Sequence, residues 1–146
     1  MSHLVGLDPG RAKCGLVLVD PEQRLVLEGV VLPVSRVIDQ LTTWSTQGGV
    51  GLILLGNGTS SKQWQPSLRR LASVDVVEEQ GTTLRARERY WQLWPARGWR
   101  KLLPRGMRVP PGDLDAVAAL VMVEAHLGSR CRWPQPRPTV KGGAAP

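Results

Sequence analysis

The chain contains no phenylalanine, one tyrosine and only two cysteines among its 146 residues. Because Cys14 and Cys131 lie far apart and form no Cys-x-x-Cys pair, a disulfide framework and a cysteine-rich zinc site are excluded. The longest apolar run, residues 116–123, is much shorter than the roughly 20 residues of a membrane-spanning helix. The N-terminus has no basic start and apolar stretch of the secretory type. These absences predict a cytoplasmic protein without a membrane segment.

Acidic residues are also scarce, because 12 Asp and Glu stand against 19 Lys and Arg, giving a net charge of +7. The hydrophobic fraction of 42% is still sufficient for a folded core, and the length fits a single domain. An excess of arginine is typical of proteins that bind a polyanion such as nucleic acid. A GC-rich genome gives the same excess, so the charge alone leaves both explanations open.

The order of apolar segments predicts three antiparallel strands followed by alternating helices and strands. Three short apolar runs, at residues 4–7, 14–19 and 24–32, are separated by turns too short for a helix. The later segments alternate between helical and strand patterns: helix 34–48, strand 51–55, helix 64–71, strand 74–77, helix 83–94 and helix 114–127. This order predicts an α/β fold in which a five-stranded mixed sheet is flanked by helices on both faces.

The composition changes near the C-terminus. Residues 1–128 carry the whole pattern of strands and helices, and we expect them to form the folded domain. Residues 129–146 are rich in Pro, Arg and Gly, so we expect a disordered tail.

Three acidic residues stand where apolar segments begin or end. Asp8 closes the first strand, Glu79 follows the fifth and Asp115 begins the final helix. The carboxyl ends of parallel strands meet at one edge of a sheet, where ligands bind. Carboxylates gathered at that edge would bind Mg²⁺ or Mn²⁺, and such a site hydrolyses phosphodiester bonds. The alternative is that Asp8 is a turn residue, Asp113 or Asp115 a helix cap, and Glu79 a solvated strand end.

Four sequence blocks resemble those of a known family and occur in the same order. The blocks are residues 7–15 (LDPGRAKCG), 55–59 (LGNGT), 78–87 (EEQGTTLRAR) and 114–119 (LDAVAA). Over about residues 4–127 the chain resembles the YqgF family, Holliday-junction-resolvase-like proteins of the RNase H superfamily that are also described as pre-16S rRNA-processing nucleases. The stretches around Trp91 and Trp99 resemble its cyanobacterial branch.

This resemblance implies an RNase H-like fold and a Mg²⁺- or Mn²⁺-dependent nuclease that acts on structured nucleic acid. The expected role is pre-16S rRNA processing in ribosome biogenesis. The resemblance also implies that Asp8, Glu79 and Asp115 are the catalytic residues and the metal ligands, with Asp113 as the alternative to Asp115. One departure is Gln80, which stands where the family has an arginine.

A basic segment lies between Glu79 and the final helix, and tryptophans are interleaved with its arginines. Phosphate contact requires such cations, and base stacking requires aromatic rings. The alternative for the tryptophans is packing, in a core that has no phenylalanine. The residues predicted to bind nucleic acid are Lys13, Thr82, Thr83, Arg85, Arg89, Arg97, Arg100 and Arg105.

Other functions remain open from the sequence. A Holliday-junction resolvase acting on branched DNA needs the same metal chemistry as an RNA-processing nuclease. A non-cleaving RNase H-like module would bind nucleic acid only, and the missing arginine at Gln80 is compatible with it. A kinase-like ATPase shares the Asp-Pro-Gly start but needs two domains, and this chain has the length of one. The oligomeric state is not predicted.

Overall fold

A computed structural model of the protein describes residues 2–58, 60–78, 82–104, 107 and 114–136. Within these residues, five strands form one sheet in the order β3-β2-β1-β4-β5. They are β1 (His3–Pro9), β2 (Lys13–Asp20), β3 (Leu25–Pro33), β4 (Val50–Gly56) and β5 (Ser73–Val77). β2 runs antiparallel to both β1 and β3, whereas β1, β4 and β5 are parallel.

Helices cover both faces of this sheet. The helices of the described segments are α1 (Val37–Gly48), α2 (Ser61–Arg69), α3 (Thr82–Leu93) and α4 (Asp115–Leu127). Short 3-10 turns occupy Val34–Arg36 and Gly98–Leu102. One hydrophobic layer joins α1 and α2 to the sheet, and the other joins α3 and α4 to its opposite face. The mixed, helix-flanked sheet predicted from the sequence is confirmed.

The alternation of side chains along β1 divides them between the two layers. Val5 and Leu7 are completely buried on the side of α1 and α2, while Leu4 packs on the side of α3 and α4. α4 is buried along residues 116–123, as expected of a helix that is apolar on all sides. Trp44 in one layer and Tyr90 in the other are fully buried, so these rings supply large apolar volume that phenylalanine does not.

The carboxyl ends of β1, β4 and β5 lie together, and we call this side of the sheet the carboxyl edge. The backbone N–H of Asn57, just after β4, donates to the carbonyl of Val77 at the end of β5 over 2.8 Å. This bond holds the ends of the two strands side by side. No helix in the described part of the chain is long and apolar enough to cross a bilayer.

Residues 131–136, here called the C-terminal strap, pack against the free edge of β3. The Val26 N–H donates to the carbonyl of Arg132, and the Arg132 N–H donates to the carbonyl of Arg24, each over 2.8 Å. The side-chain amide of Gln135 donates to two further carbonyls of β3, at 2.9 and 3.0 Å. The strap therefore satisfies backbone groups that an edge strand otherwise leaves open.

Trp133 anchors the strap. It is 7% exposed and lies over Gly29, where an added Cβ would collide with the indole ring. The structure therefore differs from the predicted disordered tail over the strap, because an open strand edge and one buried tryptophan outweigh its Pro- and Arg-rich composition. Residues 137–146 of that predicted tail lie outside the described residues.

Candidate active site

Asp8 lies near the end of β1 at the carboxyl edge. Leu7 before it is buried in the layer of α1 and α2, and a side chain at Gly6 would meet α4. Because side chains alternate along a strand, Asp8 is directed to the same face as Gly6, the face that α4 covers. The partner of Asp8 across the antiparallel pair is Gly15 in β2, at the roughly 4.5–5.5 Å between Cα atoms that is typical of such pairs.

Gly15 lets the N-terminus of α4 approach the sheet closely. A Cβ added at Gly15 would collide with the backbone carbonyl of Asp115. Since Gly15 is also the cross-strand partner of Asp8, this close approach brings the first residue of α4 beside Asp8. The structure thus places two of the three predicted carboxylates together, on elements distant in sequence.

The surroundings of the Cys14 thiol reflect the same juxtaposition. Burial raises the pKa of Cys14 above its ordinary value, and a hydrogen bond with the Gly10 backbone lowers it. The negative charges of Asp8 and Asp115 both raise it further. Cys14 itself packs in the layer of α1 and α2, so the two carboxylates act on its thiol from the opposite face of the sheet. Their charge makes the site attractive to a cation.

Lys13 is a positively charged neighbour of this pair. Its Nζ lies 3.9 Å from Oδ2 of Asp115, and the two side chains are 48% and 34% exposed. At such exposure an ion pair contributes little to stability. Lys13, which the sequence predicts to contact nucleic acid, thus lies next to the carboxylates. Its exposed ammonium group can also face a phosphate there.

Glu79 and Asp113, the other predicted ligands, lie outside the described residues. β5, the strand that leads to Glu79, ends at Val77 on the carboxyl edge. In the described segments, no group of three His, Cys, Asp or Glu side chains is arranged to hold a metal ion. The described part of the candidate site consists of Asp8 and Asp115.

The donor set of this pair fits a hard divalent cation. Carboxylate oxygens are the ligands that Mg²⁺ and Mn²⁺ prefer, whereas imidazole and thiolate favour softer metals. A side chain at position 15 would collide with the start of α4, so the glycine preserves the approach of the two carboxylates. Asp8 and Asp115 are the described residues that would hold such an ion.

Arg89 is held inside the protein, in contrast to its predicted contact with nucleic acid. Its Nε donates to Oε1 of Glu124 over 2.9 Å and its Nη2 to Oε2 over 2.8 Å. Nη2 also donates to the carbonyl of Cys131 over 2.9 Å, and the side chain is only 12% exposed. This bidentate pair ties α3 to α4 and to the C-terminal strap. Arg89 is therefore not available to a phosphate.

The other predicted nucleic-acid residues divide between the two ends of α3. Thr82 is buried at its start, and its hydroxyl has no hydrogen-bond partner among the described residues. Thr83 and Arg85 follow it on the exposed surface near the carboxyl edge. Arg97 and Arg100 lie beyond the other end of α3. Arg105 lies outside the described residues.

A cleft of about 680 Å³ opens beside the carboxyl edge, between the β1–β2 turn and α2. Residues from three segments line it: Pro9, Arg11, Val34, Ser60, Gln63 and Trp64. Arg11 is exposed, so a positive charge stands at this cleft. Arg11 is not among the residues predicted from the sequence to bind nucleic acid, although it lies only three positions after Asp8.

Two other residues of structural importance were also missed. Gly15 is visible in the sequence only once β1 and β2 are paired in register. Glu124 carries no motif, and nothing in the sequence distinguishes its partner Arg89 from Arg85, the exposed arginine one turn earlier. For Gly15 that pairing can be deduced from the sequence, because the short turn after Asp8 places residue 15 opposite residue 8.

Comparison with known proteins supports the fold. No model of a known protein family matches the chain, and no curated protein matches it. RuvC from T. thermophilus, in complex with a Holliday junction substrate, is similar in structure, with a TM-score of 0.51 at 14% identity. That match covers 90% of this chain and 99% of the RuvC chain. A second Thermus thermophilus RuvC structure has a TM-score of 0.46 at 14% identity, covering 92% and 83% of the two chains. The protein therefore has an α/β fold similar to the RNase H-like fold of RuvC.

Proposed function

We propose that the protein is a divalent-metal-dependent nuclease that hydrolyses phosphodiester bonds in structured nucleic acid. Its proposed role is pre-16S rRNA processing in the cytoplasm, as a member of the cyanobacterial branch of the YqgF family. The observation that carries the proposal is the close approach of Asp115 to Asp8 across Gly15. Two carboxylates at the carboxyl edge of an RNase H-like sheet are suited to hold a cation where a phosphate can reach it.

Each residue of the site has a separate task in this proposal. Asp8 and Asp115 hold a Mg²⁺ or Mn²⁺ ion, and Glu79, which follows β5, is the proposed third ligand. When bound, such an ion polarises the phosphodiester and lowers the pKa of a coordinated water. Gly15 keeps α4 against β2 so that the two aspartates stay together.

Basic residues around the carboxyl edge offset the repulsion between a polyanion and the carboxylates. Lys13 stands beside Asp115, Arg11 stands at the neighbouring cleft, and Arg85 is exposed on the first turns of α3. Each contact between such a cation and a phosphate releases counterions and increases affinity at low salt. These residues favour nucleic acid over a small uncharged substrate.

A resolvase acting on branched DNA is the second candidate. The observation that favours it is the similarity to a RuvC structure that contains a Holliday junction substrate. The carboxylate pair serves either substrate equally, because both reactions break a phosphodiester bond.

A cleavage assay tests the proposal. We expect the purified protein to cut a pre-16S rRNA fragment with Mg²⁺ or Mn²⁺ and not with EDTA, and to leave a four-way DNA junction intact. We expect Asp8→Asn and Asp115→Asn to reduce cleavage by orders of magnitude, because each removes a charge from the cation site. Asp39→Asn, at an exposed position of α1, is the matched control and should cut normally.

Three outcomes of this assay contradict the proposal in different ways. Cleavage of the junction but not of the rRNA fragment would replace rRNA processing with the resolvase function. Cleavage in EDTA, or an Asp8→Asn protein as active as wild type, would remove the metal mechanism. Tight binding to either substrate with no cleavage would identify a non-cleaving module.

A further inference from the structure

α3 and α4 extend side by side away from the carboxyl edge. Both helices begin near that edge, at Thr82 and Asp115. The ion pair between Arg89 and Glu124 joins them at similar distances from their first residues, so the two helices run in the same direction. At about 1.5 Å per residue, the 12 residues of α3 span about 18 Å. The far end of α3 is therefore well separated from the two aspartates.

A groove of about 490 Å³ lies at this far end, between α3, the turn at Gly98–Leu102 and the C-terminal strap. We call it the tryptophan–arginine groove. Its lining includes Trp91, Trp94, Pro95, Arg97, Arg100 and Pro136. None of the described residues that line it is acidic. The guanidinium groups of Arg97 and Arg100 therefore give the described lining a positive charge.

The aromatic side of the tryptophan–arginine groove is held rigidly by the core. The ring of Trp94 lies 5.1 Å from that of Tyr90 and 5.1 Å from that of Trp133, both buried residues. The ring of Trp91 contacts Tyr90 edge-on at 5.2 Å. Rings fixed in this way lose little conformational entropy when a planar ligand stacks on them.

An exposed tryptophan ring stands beside the groove, next to Arg100 in its lining. The guanidinium carbon of Arg100 lies 5.0 Å from the ring centre of Trp99, which is 63% exposed. This cation–π contact places an indole face and a positive charge next to each other on the surface. Paired aromatic and cationic groups are what bases and phosphates of a single strand require.

We propose that the tryptophan–arginine groove binds a single-stranded segment of nucleic acid. Bases stack on the exposed indole faces, and Arg97 and Arg100 contact the phosphates. The inference rests on the proposed function for the identity of the polymer, and it adds a second contact remote from the cation site. Since the groove lies about 18 Å from the carboxyl edge along α3, the bound segment flanks the cleavage position.

The test measures binding of a fluorescent 15-nucleotide oligouridylate by anisotropy, in EDTA so that no cleavage occurs. We expect the double variant Arg97→Ala, Arg100→Ala to weaken binding about tenfold. The slope of log affinity against log salt concentration should fall in magnitude by about 1.4, since each single-strand phosphate contact contributes about 0.7. Trp99→Ala should also weaken binding about tenfold, through loss of stacking.

The matched control is Arg69→Ala with Arg70→Ala at the end of α2, on the opposite face of the sheet. It removes the same charge from exposed positions, and we expect less than about a twofold effect. Leu102→Ala controls for truncation of an exposed apolar side chain in the same segment, because Leu102 is 85% exposed.

Three results would overturn the proposal: no binding by wild type, equal losses in the two arginine pairs, or tighter binding of a peptide with the sequence of residues 134–146. No binding by wild type would exclude single-stranded nucleic acid as the ligand. Equal losses in the two arginine pairs would show that the loss of affinity reflects net charge alone. Tighter binding of the peptide would assign the groove to the chain's own C-terminus. If the groove variants alone lose binding while wild type cuts nothing, the groove stands and the nuclease function fails.

Discussion

The position of α4 depends on the absence of a side chain at Gly15. This glycine pairs with Asp8 across β1 and β2 and lies directly under the first residue of α4. Two carboxylates repel each other, so their approach must be enforced by the packing of the elements that carry them. The buried residues of α4 provide that packing, and Gly15 sets its distance from the sheet.

Gly15→Ala is expected to lower the free energy of unfolding by roughly 1–3 kcal/mol, because the methyl group must displace the start of α4. Cleavage should fall further than stability explains, since the displacement separates Asp115 from Asp8. Urea unfolding and the cleavage assay measure the two effects. The control is Gly51→Ala, whose Cβ would meet the side chain of Ser2 near the start of the chain. Normal stability and cleavage in Gly15→Ala would contradict this assignment.

Arg89 and Glu124 form a largely buried ion pair, with side-chain exposures of 12% and 11%. Arg89→Ala is expected to lower the free energy of unfolding by about 3–5 kcal/mol, because it leaves the Glu124 carboxylate buried without its partner. The double variant Arg89→Met, Glu124→Leu should recover much of this loss, since it removes both charges. Urea unfolding of the three proteins gives these values. An Arg89→Ala protein of normal stability but weak nucleic-acid binding would restore the surface role predicted from the sequence.

At the scale of elements, the strands and the helices that flank them could be predicted, because each shows either a periodic pattern or a continuous apolar run. The fully apolar run that became β4 and the uniformly apolar α4 are signals that survive without tertiary information. Boundaries shifted by a few residues, as in α2, which begins at Ser61 rather than residue 64. The C-terminal strap could not be predicted, because its order comes from the open edge of β3 and not from its composition.

Loss of the strap's anchor should destabilise the whole domain. Trp133→Ala is expected to lower the free energy of unfolding by about 3–5 kcal/mol, because it empties a buried site over Gly29 and removes the ring that supports Trp94. Deletion of residues 137–146 is the control and should leave stability within about 0.5 kcal/mol. Urea unfolding distinguishes the two. If Trp133→Ala is as stable as the control, the strap does not contribute to the fold.

The candidate site was partly predictable for the same physical reason as the strands. Asp8 and Asp115 stand at the ends of apolar segments, and sheet topology brings such ends together. The internal role of Arg89 could not be predicted, since its ion pair with Glu124 exists only after α3 and α4 pack. The separation of Arg97 and Arg100 from the carboxylates likewise follows from the length and direction of α3.

At the scale of the whole molecule, α3 connects the two regions that we assign to nucleic acid. The carboxyl edge and the tryptophan–arginine groove lie about 18 Å apart along this helix. We expect cleavage to slow when the strand flanking the cut is too short to span the roughly 18 Å to the groove. A series of shortened substrates measures this dependence. In Arg97→Ala, Arg100→Ala the dependence should disappear, and its persistence there would exclude the groove as its cause.

The central claim is that Asp8 and Asp115 together form a divalent-cation site. The most direct test is a Mn²⁺ titration of the wild-type protein followed by electron paramagnetic resonance, repeated for Asp8→Asn, Asp115→Asn and the control Asp39→Asn. We expect saturable binding by wild type and control, and affinities at least about tenfold weaker in the two site variants, because each loses a charged oxygen ligand. Equal Mn²⁺ affinity in wild type and Asp8→Asn would contradict the claim.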